Sequence, residues 1–101
     1  MTISEVSKKY DISTDTLRYY ERIGLLPPVP RTKSGLRDYD ENSCKSVEFI
    51  KCMRNAGLPI EALIEYMTLF KEGDSTAEAR MAILVEQREA LISRIEEMQS
   101  T

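Results

Sequence analysis

The stretch LRYYERIG, residues 17–24, decides the fold of this chain. It begins shortly after Ser13, a residue type that caps helices, and it ends in a glycine, a residue type that stops them. Because each helical residue advances about 100°, Arg18, Tyr19 and Arg22 fall on one outward side of the predicted helix. Two arginines and a tyrosine on such a side suit a DNA groove, and the plain alternative is a solvated surface.

A second short helix precedes this one. Residues 2–5, TISE, predict a capping box in which Thr2 and Glu5 cap each other's amides. The helix runs to about Lys9, and Asp11 breaks it before the next cap. Two short helices joined by a tight turn predict a helix-turn-helix.

The helical period disappears between residues 27 and 40. Three prolines forbid helix at the start of this segment, and Ser34-Gly35 is a turn pair. Residues 31–33 and 36–39 are therefore predicted to form two short strands of a hairpin, the wing of a winged helix-turn-helix. A hairpin can lie along a DNA backbone, where cations contact phosphates. The wing carries three cations, Arg31, Lys33 and Arg37.

Three further helices are predicted, over residues 40–56, over 59–73 and from 75 to the end. The last one carries apolar residues at alternating spacings of three and four, interrupted by Arg88. A single helix has nothing of its own against which to bury such a stripe, so the pattern predicts pairing with a second copy. The alternative is a helix that folds back on its own domain. The pairing residues are Met81, Leu84, Leu91, Ile95 and Met98.

The composition narrows the function classes. Net charge is −3, but residues 1–59 have 10 Lys and Arg against 8 Asp and Glu, whereas residues 60–101 have 4 against 9. A basic front and an acidic rear suit a chain that touches phosphate with one part only. Without histidine or a glycine-rich phosphate loop, we expect no enzyme. Without a long apolar run or a signal peptide, we expect a cytoplasmic protein with no membrane contact.

Three motifs resemble the MerR family of bacterial transcription regulators: TLRYYERIGLL at 16–26, GLRDYDENS at 35–43 and FIKCMRNAGLPIEAL at 49–63. The resemblance implies a mainly α fold, with a winged helix-turn-helix DNA-binding domain over 1–71 and a dimerisation helix over 75–101, paired as an antiparallel coiled coil. It also implies a homodimer that binds a near-palindromic operator in double-stranded promoter DNA and bends and untwists it, so that RNA polymerase can engage the promoter.

The resemblance also implies roles for individual residues. Thr16, Arg18 and Tyr19 would meet bases and phosphates in the major groove, and Arg37 and Tyr39 would grip the flanking backbone. With the charges noted above, the expected DNA-binding residues are Thr16, Arg18, Tyr19, Arg22, Arg31, Lys33, Arg37 and Tyr39.

The residues that a regulator of this family carries indicate which chemical signal switches it. Metal-sensing relatives carry cysteines at the start of the long helix, where this chain has Asp74 and Ser75, so neither a metal nor a cofactor is expected. The chain resembles instead the small thiol-bearing branch, which responds to aldehydes and other electrophiles in a stress response.

Two cysteines are available for that response, Cys44 and Cys52. Cys52 lies two residues, about 200°, from the apolar side of its predicted helix, and Lys51 and Arg54 close in sequence favour a reactive thiolate. Cys52 is therefore the predicted sensor thiol, and the alternative is an unreactive thiol packed against the partner's long helix. Cys44 is predicted to be a small apolar residue.

Two other functions fit parts of the pattern. An architectural or excisionase-like DNA-bending protein without an effector uses a small winged helix-turn-helix but does not need the long self-pairing helix. A coiled-coil adaptor explains that helix but leaves the basic wing and LRYYER unexplained. Salt-dependent binding to random duplex DNA separates the adaptor from a DNA-binding protein.

Overall fold

The computed structural model describes residues 1–100, and this part of the chain contains five α-helices. They are α1 (Ile3–Tyr10), α2 (Thr14–Arg22), α3 (Glu41–Asn55), α4 (Ile60–Glu72) and α5 (Ala77–Ser100), with a 3-10 turn at Asp74–Thr76 before α5. The chain divides into two compact units, Met1–Ala56 and a second one that begins at Gly57. The predicted mainly α fold with a long last helix is confirmed, whereas the functional division at residue 71 stays a prediction.

Local capping explains where the helices of the first unit begin. Thr2 Oγ1 accepts a hydrogen bond from the Glu5 N–H at 3.2 Å, and Glu5 Oε1 accepts one from the Thr2 N–H at 2.8 Å, so the predicted capping box is present. The bond from Thr2 lowers the pKa of Glu5. Ser13 Oγ accepts from the Thr16 N–H at 3.1 Å at the start of α2, and Asp40 caps α3 in the same way.

The turn between α1 and α2 is built on one left-handed residue. Asp11 has φ +53°, and its N–H donates to Ser7 O, which ends α1. The Lys51 ammonium of α3 donates to Tyr10 O, the last residue of α1. The helix-turn-helix is therefore tied to α3 at its turn.

The wing is a hairpin with very little strand. Arg31 and Arg37 form a single antiparallel bridge, supported by bonds from Thr32 N–H to Leu36 O and from Asp38 N–H to Pro30 O, both at 2.8 Å. The two predicted strands are thus reduced to one bridging pair among the described residues. The prolines before the hairpin lack the N–H donors that a longer ladder needs.

The core of the first unit gathers side chains from α1, α2, α3 and the wing. Leu17 points inward from α2, as its helical position predicts, and Tyr39 enters from the end of the wing. The largest fully buried side chains of this unit are Val6, Leu17, Leu25, Leu26, Tyr39 and Ile50.

The second unit is a helical hairpin in which α4 packs against α5. The Thr76 hydroxyl is buried in the connection and lies 2.7 Å from both Leu69 O and Gly73 O. Ile83 of α5 and Leu63 of α4 are buried within this unit. No helix in the described part of the chain is long and apolar enough to cross a membrane.

Candidate nucleic-acid interface

The outward side of α2 carries a cation-aromatic cluster. Tyr19 is half-exposed, the Arg22 guanidinium lies 5.3 Å from the centroid of its ring, and the Tyr20 ring lies 6.2 Å away on the inner side. Arg18 lies one helical turn before Arg22 and is also exposed, with a guanidinium nitrogen 3.3 Å from Asp15 Oδ1. An exposed ion pair of this kind is weak, so a phosphate can replace the carboxylate with little penalty. The geometry therefore presents two guanidinium groups and one aromatic ring to solvent.

Thr16 lies at the N-terminal end of the same helix and takes part in its cap. Ser13 Oγ donates to Thr16 Oγ1 at 2.8 Å, while the Thr16 N–H donates back to Ser13 Oγ. The Thr16 hydroxyl hydrogen is not used in either bond. Thr16 is partly exposed, so it retains a donor near the positive end of the α2 dipole.

The three wing cations differ in their surroundings. Lys33 is exposed at the turn of the hairpin. Arg37 Nε donates to Glu21 Oε1 at 2.8 Å, and an Arg31 terminal nitrogen lies 3.4 Å from the same oxygen. Arg37 is mostly covered, whereas Arg31 is nearly half-exposed. The two predicted phosphate contacts on the sides of the wing are thus held by a carboxylate of α2.

Tyr39 departs from the expectation that it grips the DNA backbone, because its side chain is only 1% exposed. It lies in the core of the first unit, and burial raises the pKa of its phenol. Its hydroxyl has no hydrogen-bond partner within residues 1–100. Tyr39 is buried because the second segment of the wing directs its side chain toward the core. Leu36 lies on the opposite side of the hairpin and is 68% exposed. Tyr39 thus supports the base of the wing from within.

Glu21 is the residue of this surface that the sequence reading did not single out. Its side chain is 13% exposed, and its Oε2 accepts from the Val29 N–H at 2.9 Å. Burial by itself raises the pKa of Glu21, but the Val29 and Arg37 hydrogen bonds and the charges of Arg31 and Arg37 outweigh it, so the pKa is lowered. A signal was available, because Glu21 follows Leu17 by four residues and so shares its inward side of α2.

The two thiols occupy different environments. Cys52 is exposed on α3, which confirms that it faces away from the apolar side of that helix. Cys44 is partly buried, and its Sγ lies 3.8 Å from Met1 Sδ. No group of three or more potential metal ligands occurs in residues 1–100.

The predicted pairing stripe of α5 is only partly exposed. Leu84 and Leu91 are half-buried within the second unit, and a Cβ placed on Gly57 would lie 3.1 Å from Leu91 Cδ2. Met81, Ile95 and Met98 are exposed, together with Val85 and Ile92. The apolar surface that α5 leaves open is therefore carried by Met81, Val85, Ile92, Ile95 and Met98.

A helix-turn-helix with a cationic outer side, followed by a small basic hairpin, defines a winged DNA-binding regulatory protein. Two family models agree: the MerR helix-turn-helix family of regulatory proteins matches residues 1–69, and the MerR DNA-binding family matches residues 45–101. The chain belongs to the MerR family of helix-turn-helix transcriptional regulators. These families and relatives are regulators of transcription, not enzymes.

Individual relatives support this assignment. The chain is 63% identical over 92 residues to the helix-turn-helix transcriptional regulator AdhR of Bacillus subtilis. The matched region covers 91% of this chain and 66% of AdhR. A MerR family regulator from Listeria monocytogenes has a similar structure, with a TM-score of 0.91 and 49% identity over 99% of this chain and 76% of its own. HiNmlR, a MerR family regulator lacking the sensor domain, was solved bound to promoter DNA. It matches with a TM-score of 0.83 and 27% identity, over 98% of this chain and 79% of its own.

Proposed function

We propose that two copies of this chain pair through α5 and bind a near-palindromic operator in promoter DNA, which they distort for RNA polymerase. The outward side of α2 is the observation that carries this proposal, because Arg18, Tyr19 and Arg22 are presented together there. A recognition helix of this kind enters the major groove, while a basic wing contacts the flanking backbone. The structural relative solved on promoter DNA supports the same use of the fold.

Pairing follows from the open apolar surface of α5. Ile95 is 51% exposed and Met98 is 68% exposed, which is costly for side chains of this size in water. A second copy of α5 covers such a stripe, and a two-fold dimer then presents two α2 helices to two halves of an operator. Distortion of the DNA between the halves would store energy of several kcal/mol, which a switch can exchange between protein states.

The operator proposal is tested by selection of bound duplexes from a random library, followed by binding to the selected duplex and to random DNA over a salt series. We expect tight binding to the selected duplex and weaker binding to random DNA, both with a linear fall of log K against log salt. Analytical ultracentrifugation should find two chains per duplex. Binding that does not depend on salt, or one chain per duplex, would contradict the proposal.

We also propose that an aldehyde or another electrophile switches this regulator at Cys52. The exposed Cys52 thiol is open to reagents, and the chain resembles the thiol-bearing branch of the family. Its thiolate would add to the carbonyl carbon of an aldehyde, forming a C–S bond, while the carbonyl oxygen takes up a proton. The neighbouring Lys51 bonds to Tyr10 O at the helix-turn-helix turn, which offers a route from the thiol to α2.

Cys52→Ala tests the switch, with Cys44→Ala as the matched control. We expect the wild type and Cys44→Ala to change transcription in vitro from the selected operator when formaldehyde is added, whereas Cys52→Ala binds the operator normally and does not respond. Mass spectrometry should find the adduct on Cys52. A response that persists in Cys52→Ala would exclude Cys52 as the sensor.

A further inference from the structure

One carboxylate joins the recognition helix to both sides of the wing. Glu21 Oε2 accepts from the Val29 N–H at 2.9 Å, just before the hairpin. Its other oxygen lies 2.8 Å from Arg37 Nε and 3.4 Å from a terminal nitrogen of Arg31. Arg31 and Arg37 also form the single bridge that closes the hairpin. A single side chain therefore attaches the wing to α2 at two points and the segment just before the wing at a third.

This attachment changes the charge that the wing offers to DNA. Arg31 and Arg37 alone would present two positive charges, but with Glu21 between them the group carries only one. Because Glu21 is 13% exposed, its charge is screened less by solvent than that of a surface residue. A phosphate that approaches the sides of the wing must therefore compete with a carboxylate already in place.

We propose that Glu21 is the positioning residue that makes DNA binding selective, because it fixes the wing relative to α2 and withholds the charge of Arg31 and Arg37 from any phosphate that does not fit. This inference rests on the proposed operator binding. On the operator, α2 and the wing contact the duplex together, and the fixed angle between them is favourable. On random DNA, the wing would bind well only if its arginines were free to follow the backbone.

Glu21→Gln separates these two effects of the carboxylate. The single side-chain oxygen of glutamine can still accept the hydrogen bond from the Val29 N–H. Its NH₂ group then faces the guanidinium groups of Arg31 and Arg37, and because both sides are donors, no hydrogen bond forms between them. The hairpin entry is retained, whereas Arg31 and Arg37 are released. Glu48→Gln on the exposed side of α3 is the matched control, since it removes the same charge from the same unit.

The experiment measures binding of the wild type, Glu21→Gln and Glu48→Gln to the selected operator and to random duplex DNA over a salt series. Because the group of Glu21, Arg31 and Arg37 then carries two net positive charges and not one, we expect Glu21→Gln to steepen the slope of log K against log salt on random DNA by about 1. Its affinity for random DNA should rise by roughly 3–10-fold at low salt, and the ratio of operator to random affinity should fall by at least about threefold. In Glu21→Gln/Arg37→Gln, the slope should return toward the wild type by about one.

Three results would overturn the inference. Glu21→Gln could behave like Glu48→Gln, which would leave the carboxylate without a role in selectivity. It could also weaken operator and random binding equally, with an unchanged slope of log K against log salt, which would indicate a structural role only. A wild type that binds neither duplex would overturn the proposed function and this inference with it, whereas the first two results do not affect the proposed binding of the wild type to its operator.

Discussion

The two compact units of this chain differ in how completely they bury their own apolar side chains. In the first unit, Leu17 and Ile50 are at most 1% exposed, and even Tyr39 of the wing is drawn inward. In the second unit, α5 leaves Ile95 and Met98 more than half exposed. The first unit completes its core within one chain, whereas the second has apolar surface left for another molecule. The completed core and the open apolar surface thus lie in different parts of the sequence.

Charge divides the chain at the same place. Residues 1–56 contain all 10 of the Lys and Arg that precede residue 60 and 8 Asp and Glu, whereas the residues from 57 onward contain 4 against 9. The unit with the closed core is also the one with cations for phosphate. The acidic unit has fewer cations to offer to phosphate, and it carries the surface that we propose for pairing.

Leu17→Ala and Ile95→Ala test the difference in burial directly. Removing the buried Leu17 side chain should lower the free energy of unfolding of the first unit by about 2–5 kcal/mol, because it leaves a cavity. Removing the exposed Ile95 side chain should change the stability of the unpaired chain by no more than about 0.5 kcal/mol. Urea unfolding followed by circular dichroism at low protein concentration measures both. Equal losses would contradict the contrast between the units.

Ile95→Lys tests whether the open stripe of α5 serves pairing. A charge buried at the proposed interface should weaken the dimer on the order of 100-fold, about 2.7 kcal/mol, and operator binding should fall with it. Ser93→Lys is the control, because it lies two residues, about 200°, around the helix. Sedimentation equilibrium measures the dimer. If both variants dissociate equally, or neither does, another surface pairs the chains.

Arg18→Ala asks whether the first unit supplies the DNA contacts. Loss of this charge from the outward side of α2 should weaken operator binding by roughly 1–3 kcal/mol. Lys45→Ala removes an exposed cation of α3 from the same unit and should have a smaller effect. Fluorescence anisotropy at moderate salt is sufficient. Unchanged affinity for Arg18→Ala would remove that residue from the interface.

The smallest expected effect is the pH dependence that Glu21 gives to the first unit. Its pKa is lowered from the ordinary 4.5, so its stabilisation is present above that value and is lost as pH falls through the folded-state pKa. The free energy of unfolding of the wild type should exceed that of Glu21→Gln by up to about 1 kcal/mol at pH 7, and the difference should shrink as pH falls below 4.5. Urea unfolding over a series of pH values measures this difference. Hydrogen bonds also lower the pKa values of Glu5 and Asp40, but both variants share these groups, so their contributions cancel in the difference. A constant difference would show that charge is not involved.

Local signals were sufficient for the starts of the first three helices, whereas the last helix, predicted from residue 75, begins at Ala77 after a 3-10 turn. Thr2, Ser13 and Asp40 cap where the sequence predicts, since a cap depends on residues three positions apart. The outward side of α2 also follows from the helical repeat alone. The stripe on α5 was predicted as one surface, but part of it packs within the second unit, where Leu91 lies close to Gly57 in the turn before α4. That division depends on packing that periodicity does not contain.

The wing was harder to predict, because tertiary contacts decide which side faces inward. A period of two puts Arg37 and Tyr39 on one side of the wing, and the family resemblance implied that both contact the DNA backbone. The structure buries the side with Tyr39 because Glu21 receives Arg37 there. The sequence of the wing alone does not show that Arg37 pairs with the Glu21 carboxylate, which lies on another element.

The exposed apolar stripe of α5 limits the ways in which two copies can pair. Met81 and Met98 lie 17 residues apart, about 26 Å at a rise of 1.5 Å per residue. One residue inserted between them would rotate the side chains beyond it by about 100° around the helix axis. In the proposed dimer, such an insertion would therefore split the stripe and weaken pairing, with α2 itself unaltered.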